Sequence, residues 1–223
     1  MDFVAGRLPR ASWGARAMQS EWLASAYERW WRPVLFAVTT GFGAPGTADE
    51  ARRVVELMEA SAAMGPWLDL SCGPGTLLRP LAAAPGTRTL VGVDLSLSML
   101  RRAHAAAPGV RLARADAASL PFEDGSFGAV ANMAALDLYP DPARVVRECA
   151  RVLAPGGRWV CSTFVARSRA TPSLARRGSI FEAASGVRTP TLAELEGWTR
   201  DAGLRRFGHV LFRRYAVAWA DSA

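Results

Sequence analysis

Residues 68–76 read Leu-Asp-Leu-Ser-Cys-Gly-Pro-Gly-Thr, and this stretch decides the fold. The apolar run Pro66–Leu70 predicts a buried strand, and the segment Gly75–Ala84 that follows predicts a helix. Gly73 and Gly75 permit the tight turn between them and leave the backbone bare for close approach of a ligand. A strand, a glycine-rich turn and a helix in this order are typical of a nucleotide or nucleoside site.

Two residues in or near this stretch argue against a dinucleotide. Leu78 stands where the third glycine of a G-x-G-x-x-G fingerprint is expected. Asp69 lies near the end of the strand, where its carboxylate would repel a pyrophosphate and attract an ammonium or sulfonium group. The stretch therefore indicates a cationic nucleoside as the ligand.

Short apolar runs alternate with amphipathic helical segments on both sides of this turn. Such alternation predicts crossover connections and a mostly parallel sheet with helices on both faces. A tightly joined pair of strands near the end of the chain predicts an antiparallel hairpin at one edge. The expected fold class is therefore α/β, a doubly wound, mostly parallel seven-stranded sheet with an antiparallel terminal hairpin and an N-terminal helical cap. The expected strands are Pro66–Leu70, Thr89–Val93, Val110–Ala115, Phe127–Asn132, Trp159–Phe164, Arg205–Val210 and Arg213–Trp219, and the expected helices are Ala48–Met64, Gly75–Ala84, one N-capped by Ser96, one from Asp141–Pro142 to Gly156–Gly157, and Thr191–Ala202.

Composition divides the chain into parts of different character. Residues 1–20 are Arg-rich and weakly apolar, which predicts a disordered extension with Met18 as an alternative start. Residues 21–47 predict a helical cap, and residues 48–223 the ligand-binding domain. Within that domain, residues 165–190 are rich in Arg and Ser and only weakly periodic, which indicates a lid insertion.

The charge and cysteine content limit the possible partners. All 27 basic residues are Arg, against 20 acidic residues, which gives a formal charge of +7. The absence of Lys indicates the coding bias of a GC-rich genome, so a nucleic-acid partner is not expected. No apolar run approaches the roughly 18 residues of a membrane span, so a membrane partner is not expected either. Cys72, Cys149 and Cys161 lack metal-ligand spacing, which predicts free thiols, no metal and a cytoplasmic location.

Three further motifs accompany the glycine-rich turn. Asp94 ends the second predicted strand, Leu120–Phe127 reads Leu-Pro-Phe-Glu-Asp-Gly-Ser-Phe, and Arg151–Gly157 reads Arg-Val-Leu-Ala-Pro-Gly-Gly. Together these motifs resemble class I S-adenosylmethionine (SAM)-dependent methyltransferases, whose loop is D-x-G-C-G-x-G; here Ser71 replaces the first glycine. The last two motifs are similar to those of the type 11 small-molecule subfamily, which includes ubiquinone and menaquinone methyltransferases.

The resemblance implies SAM as the cofactor and a role for several residues. Asp94 would accept the ribose hydroxyls, Asp116 would receive the adenine amino group, and Asn132 would lie beneath the methionine moiety. Each of these also has a structural alternative, a helix or turn cap for the two acids and a buried polar contact for Asn132. Leu95 and Met99 belong either to the adenine pocket or to the core. The implied cofactor-binding set is Asp69, Ser71, Gly73, Gly75, Asp94, Leu95, Met99, Asp116, Ala117 and Asn132.

The segment after the fourth predicted strand carries the candidate catalytic residue. Relatives often read A-L-H-H-x-x-D-P here, whereas this chain has Asp137 and Leu138 at the positions of the paired histidines. The resemblance places Asp137 over the sulfonium, where it would orient the acceptor or act as its base. Its alternative is a solvated loop acid or a cap. His104 and His209 are expected to be structural.

An aromatic segment near the N-terminus provides the candidate acceptor pocket. Tyr27 and Trp31 are predicted to bind the substrate, the alternatives being a helix packed on the sheet edge or an interfacial helix. The expected function is SAM-dependent methyl transfer to an oxygen or carbon of a small aromatic, quinone-like or polyketide-like metabolite, by a monomer or homodimer. The alternative is a non-methylating cyclisation or rearrangement on the same fold, which the loss of the paired histidines leaves open.

Overall fold

The computed structural model describes residues 1–4, 46–83, 88–166 and 189–223. The candidate substrate residues Tyr27 and Trp31, residues 21–45 of the predicted cap and residues 167–188 of the predicted lid lie outside these ranges. The helices and strands, in chain order, are α1 (Thr47–Glu59), β1 (Trp67–Leu70), α2 (Leu78–Ala83), β2 (Leu90–Asp94), α3 (Leu97–Ala106), β3 (Arg111–Arg114), β4 (Phe127–Met133), a 3₁₀ helix (Leu136–Leu138), α4 (Pro142–Val152), β5 (Leu153–Phe164), α5 (Leu192–Asp201), β6 (Arg205–Phe212) and β7 (Tyr215–Asp221).

The strands form one seven-stranded sheet in the order β3-β2-β1-β4-β5-β7-β6. Strands β1 to β5 pair in parallel, and β7 is antiparallel to both β5 and β6. This confirms the doubly wound, mostly parallel sheet with a terminal hairpin. The strand order reverses at β1, whose neighbours are β2 and β4. In open α/β sheets the crevice at the carboxyl ends of such strands is the place where ligands bind.

Helices cover the sheet on both faces, as the long apolar strands require. On one face, Met58 of α1 and Leu81 of α2 share an apolar cluster with Val160 of β5. The helix α3 packs beside α2 on the same face. On the other face, Cys149 of α4 and Leu195 of α5 belong to the largest cluster of the core. Because both faces are buried, functional groups are left to the ends of the strands.

The capping signals of the sequence are confirmed at three helices. Ser96 and Asp141 each accept a hydrogen bond from the backbone amide three residues later, at 3.4 and 3.0 Å. Thr191 and Glu194 form the reciprocal bonds of a capping box at the start of α5. These caps fix where α3 and α4 begin, and therefore where the loops after β2 and β4 end.

Among the bounds that differ from the sequence prediction are two helix ends and one strand start. Helix α1 ends at Glu59 rather than Met64, because the Ser61 hydroxyl donates to the Gly128 carbonyl at 2.7 Å and draws the chain across the base of β4. Strand β5 begins at Leu153 rather than Trp159, so α4 ends before the two glycines that were expected to stop it.

The Arg151 side chain joins two of the recognised motifs, Leu120–Phe127 and Arg151–Gly157. Its guanidinium donates to the carbonyls of Leu120 and Phe122 at 3.0 and 2.8 Å. It also pairs with Asp124 at 2.7 Å and with Glu148 at 2.8 Å. The arginine of the second motif therefore holds the loop formed by the first, and neither motif needs a ligand to account for it.

The first residues of the chain differ from the predicted disordered extension. Asp2 forms a parallel bridge with Arg114, so residues 1–4 lie along the free edge of β3. The Phe3 amide donates to the Arg114 carbonyl at 2.8 Å, and the Arg114 side chain pairs with Asp2 at 3.3 Å. Residues 5–20 of the predicted extension lie outside the described ranges. In the part of the chain that the structure describes, no helix is both long and apolar enough to cross a membrane.

Candidate active site

The glycine-rich turn lies at the carboxyl end of β1, beside the carboxyl ends of β2 and β4. Gly73 and Gly75 both have positive φ angles, 53° and 87°. A Cβ on Gly75 would lie 3.3 Å from Cα of Ala103, so the turn packs closely against α3. Because these residues turn the chain first, α2 begins at Leu78 and not at Gly75 as predicted. The turn thus forms one wall of the crevice at the strand switch.

Asp94 joins the ends of β1 and β2. Its Oδ2 accepts a hydrogen bond from the Gly73 amide at 2.9 Å, and its Oδ1 accepts one from the Ser96 amide at 2.8 Å. Burial raises the pKa of Asp94, and these two backbone bonds partly offset the effect. Since a carboxylate oxygen has two lone pairs, each oxygen can still accept a hydroxyl from a ligand. Asp94 is therefore both the support of the turn and a candidate ligand for ribose.

Asp69 is a buried acid without a donor. Its side chain is 1% exposed, and no donor in the described ranges reaches either carboxylate oxygen. Burial raises the pKa of Asp69 well above its usual range, and the nearby charge of Asp94 raises it further. Burial, together with the same two acids, raises the pKa of the Cys72 thiol. An unpartnered buried carboxyl is costly, so this corner of the crevice favours the arrival of a cation.

Asn132, at the end of β4, is held by its amide nitrogen. Nδ2 donates to the Leu70 carbonyl at 3.0 Å and to the Tyr139 hydroxyl at 2.8 Å. Its Oδ1 is buried and has no hydrogen-bond partner in the described part of the chain. The Tyr139 hydroxyl also lies 2.6 Å from Oγ of Ser71. Sequence reasoning missed Tyr139, although the replacement of a glycine by Ser71 in the same motif was a signal that something contacts that side chain.

The candidates for the adenine end lie at the carboxyl ends of β2 and β3. Asp116 follows β3, and its Oδ1 accepts a hydrogen bond from the Ala118 amide at 2.9 Å, which is the turn-capping contact considered as its alternative. Ala117 and Met99 are buried, with 7% and 4% of their surface exposed. The Leu95 carbonyl accepts a hydrogen bond from Arg114 Nε at 3.0 Å. These residues are therefore fixed in place, as the edge of a binding crevice should be.

Asp137 belongs to the 3₁₀ helix that follows β4. It is only 8% exposed, so it is not the solvated loop acid that the sequence also allowed. Burial raises its pKa to about 6, while its own backbone amide and, less strongly, the nearby Thr163 hydroxyl of β5 act in the opposite direction. A carboxyl with this pKa is mostly ionised at neutral pH and is a stronger base than an exposed one.

A third buried acid at the same edge was not found from the sequence. Glu50, in the first turn of α1, is 1% exposed and accepts hydrogen bonds from the Ser162 hydroxyl, at 2.6 Å, and from the Tyr215 hydroxyl. Oγ of Ser162 in turn accepts the Ala134 amide at 3.1 Å. Ala134 begins the loop that carries Asp137 and has a φ of 54°. Glu50 therefore supports that loop from the other side of β5.

The two histidines lie away from this cluster. His104 is exposed near the end of α3, and His209 is exposed on β6, where its ring lies 5.8 Å from that of Phe207. Neither shares an element with the ends of β1, β2 or β4. Among the described residues, the acid–base groups beside the glycine-rich turn are therefore carboxyls, hydroxyls and the Cys72 thiol.

Known proteins resemble this chain in sequence around the site. Residues 68–161 match a family model described as a methyltransferase domain. An uncharacterized chloroplastic methyltransferase of Arabidopsis thaliana is 34% identical over 159 residues, which cover 67% of this chain and 44% of that protein. A demethylmenaquinone methyltransferase of Renibacterium salmoninarum is 31% identical over 155 residues, which cover 61% of this chain and 65% of that protein.

A solved structure of another protein shares the fold. A crystal structure of a SAM-dependent methyltransferase of Thermotoga maritima, a possible histamine N-methyltransferase, matches with a TM-score of 0.66 at 18% identity. The match covers 93% of this chain and 99% of that one. At this identity the likeness shows the fold alone. The chain spans less than two thirds of the length of the two curated relatives.

Proposed function

The chain carries a class I SAM-dependent methyltransferase domain, and from this premise we propose that it transfers the methyl group of SAM to an oxygen or carbon of a small aromatic, quinone-like or polyketide-like metabolite. The observation that carries the proposal is the unpartnered carboxyl of Asp69, buried beside Asp94 in the crevice at the strand switch. Such a place favours a nucleoside that bears an ammonium and a sulfonium.

The residues of the crevice fit SAM on their own chemistry. Asp94 offers lone pairs for the ribose hydroxyls, and Asp69 and Oδ1 of Asn132 are buried acceptors without donors in the described ranges. A cation satisfies acceptors that are costly when left unpaired. The turn at Gly73 and Gly75 supplies the close backbone approach that a nucleoside needs.

When bound, SAM supplies an electrophilic methyl group on a sulfonium. The protein then has to hold the acceptor in line with that methyl group and keep water away. We assign the first task to Asp137, whose buried carboxyl lies in the 3₁₀ helix after β4. If the acceptor is a hydroxyl, Asp137 would accept its proton, and SAM, held by Asp69, Asp94 and Asn132, would supply the methyl group that replaces that proton. Carbon methylation of an activated ring uses Asp137 in the same way for the ring proton.

The quinone-like acceptor is proposed from the relatives. The Renibacterium protein is named a demethylmenaquinone methyltransferase, and its similarity covers 61% of this chain. The proposed acceptor pocket also includes Tyr27 and Trp31, which lie outside the described residues. Aromatic side chains favour contact with a planar ring, which is why these two residues are proposed for an aromatic acceptor.

The test is release of S-adenosylhomocysteine (SAH), the demethylated cofactor, with a panel of phenols, naphthoquinols and polyketide-like hydroxyaromatics. We expect at least one of these acceptors to release SAH in proportion to a product that has gained one methyl group. A product of unchanged mass, formed without SAH release, would instead support the non-methylating cyclisation or rearrangement, which the aspartate and leucine at the positions of the paired histidines leave open.

A further inference from the structure

Glu50 is a buried acid that the proposed mechanism does not use. It lies in the first turn of α1, and its Oε1 accepts hydrogen bonds from the Ser162 hydroxyl, at 2.6 Å, and from the Tyr215 hydroxyl. The two donors lie 112 and 165 positions further along the chain, in the paired strands β5 and β7. One carboxylate oxygen therefore joins a helix to two strands.

The packing of α1 gives no reason for an acid at this place. The next turns of the helix contact the sheet through the apolar side chains of Val54 and Met58. Glu50 is only 1% exposed, and a buried carboxyl is costly unless its hydrogen bonds compensate for the lost water. The reason for Glu50 therefore has to come from the groups that its carboxyl orients.

The direction of the Ser162 hydroxyl follows from its contact with Glu50. This hydroxyl has one hydrogen, which it donates to Glu50, so its lone pairs are left to accept from other donors. One such donor is the Ala134 amide, whose nitrogen lies 3.1 Å from Oγ of Ser162 and 2.9 Å from the Ser162 carbonyl oxygen. Glu50 thus orients the side chain that accepts from Ala134.

Ala134 needs support because of its backbone conformation. Its φ is 54°, in the left-handed region, where a residue with a Cβ is strained and stays only if its surroundings fix it. The 3₁₀ helix that contains Asp137 begins two positions later. At that end, the Thr163 hydroxyl lies near the Asp137 carboxyl. Ser162 and Thr163, which are adjacent in β5, therefore hold both ends of the loop that carries Asp137.

We infer that Glu50 is a positioning residue for methyl transfer: through the Ser162 hydroxyl and the Ala134 amide it fixes where the Asp137 carboxyl lies relative to the acceptor. This role rests on the proposed function, because Asp137 is the group assigned there to the acceptor. Glu50 acts through Ser162 and is not itself a catalytic residue. A displacement of about 1 Å in a reacting group lowers the rate on the order of 100-fold, so a support outside the crevice can control kcat.

The kinetic test breaks this connection at two places. Ser162→Ala removes the hydroxyl between Glu50 and Ala134, and Glu50→Leu removes the acceptor. With the best acceptor of the panel we expect each variant to lower kcat about 10- to 100-fold, while the KM for SAM and the affinity for SAH change less than about twofold. Glu50→Gln keeps an oxygen that can accept from both hydroxyls, so it should keep more of the wild-type kcat than Glu50→Leu. A residue that only stabilised the fold would not produce this split between kcat and cofactor binding.

Amide hydrogen exchange gives a second measurement, which needs no acceptor. In Ser162→Ala the amides of residues 134–138 should exchange about tenfold faster, whereas those of β1 and β2 should keep their rates. The matched control is Thr199→Val, which removes a buried hydroxyl that donates to the Glu196 carbonyl at 2.8 Å in α5, on the other face of the sheet. This control should leave both kcat and the exchange of the loop at wild-type values.

The assignment of Glu50 is overturned if Ser162→Ala leaves either kcat or the exchange of the loop unchanged. It is also overturned if the variants weaken SAH binding as much as they lower kcat, since the whole crevice would then be disturbed. If the unmodified protein methylates no acceptor, the proposed function is wrong and this role falls with it. If the unmodified protein methylates an acceptor and the variants do so equally fast, only the role of Glu50 is wrong.

Discussion

Replacement of Asp69 by asparagine tests whether the carboxyl of this residue binds a ligand or supports the fold. The side chain keeps its shape and loses its ability to become an anion. In the protein without ligand the pKa of Asp69 is raised well above its usual range, chiefly by burial, so the carboxyl resists ionisation. The ammonium of a ligand would favour the charged form, and binding would then release a proton. The amide of the variant carries no negative charge and has no proton to release on binding.

The expected loss follows from one hydrogen bond between charged groups. Such a bond contributes about 1.5–3 kcal/mol, so Asp69→Asn should raise the Kd for SAH by roughly 10- to 150-fold. The fold should keep its stability, because neither oxygen of the Asp69 carboxyl has a hydrogen-bond partner in the described ranges. The substitution therefore breaks no hydrogen bond there. The raised pKa means that the wild-type acid costs stability as pH rises from its unfolded toward its folded pKa, so the variant should be at least as stable at neutral pH.

The binding assay is calorimetric titration of SAH from about pH 5 to about pH 8. The control ligand is 5′-methylthioadenosine, which has the same nucleoside without the amino-acid end. Denaturant unfolding measures the stability of the wild type and of the variant. For the wild type, affinity for SAH should rise with pH through the folded pKa of Asp69, and for Asp69→Asn this dependence should be lost. Methylthioadenosine should bind both proteins alike. Unchanged SAH affinity together with a loss of several kcal/mol in unfolding free energy would refute the reasoning and make Asp69 structural.

The remaining predictions concern three other charged groups. Asp94→Ala should weaken the binding of both SAH and methylthioadenosine by at least about 100-fold, because one carboxylate is both the group that would bind the ribose and the acceptor for the Gly73 amide. Tight binding of either ligand in calorimetry would contradict this. Asp137→Asn should lower kcat about 100- to 10,000-fold with little change in the KM for SAM, and wild-type kcat should fall as pH drops through about 6; intact turnover would make Asp137 a cap. Arg151→Leu should lower the unfolding free energy by about 2 kcal/mol and leave SAH binding intact, because the Arg151 contacts hold a loop. Arg151 also lowers the pKa of Glu148, so the stability from this pair should be present above the unfolded pKa of Glu148 and be lost as pH falls through the folded one, and acid denaturation should show this loss only in the wild type.

The parts of the fold that the sequence predicted are those governed by local chemistry. Ser96, Asp141 and Thr191 each cap the helix that follows within a few residues, so local spacing was enough. The parallel strands followed from apolar runs between such helices. The end of α1 could not be predicted, because Ser61 leaves the helix for a carbonyl of β4 that lies 67 positions away.

The residues of the candidate site also fall into those that the sequence predicted and those that it did not. Asp69 was found from its place near the end of a strand beside the glycine-rich turn, and Asp94 from its place at the end of the second strand together with the family resemblance. Tyr139 and Glu50 were missed because their hydroxyl partners are 68 and 112 positions distant. In sequence, Glu50 is an acid in the first turn of a helix, which is ordinary there; only packing shows that it is buried.

One measurement tests methyl transfer most directly. The protein is incubated with SAM that carries a deuterated methyl group and with the acceptor panel, and the products are analysed by mass spectrometry. The proposed function predicts an acceptor that has gained the intact deuterated methyl group, with an equal amount of SAH and no such product from Asp94→Ala. Turnover of an acceptor to a product without the label, with SAM recovered unchanged, would contradict it.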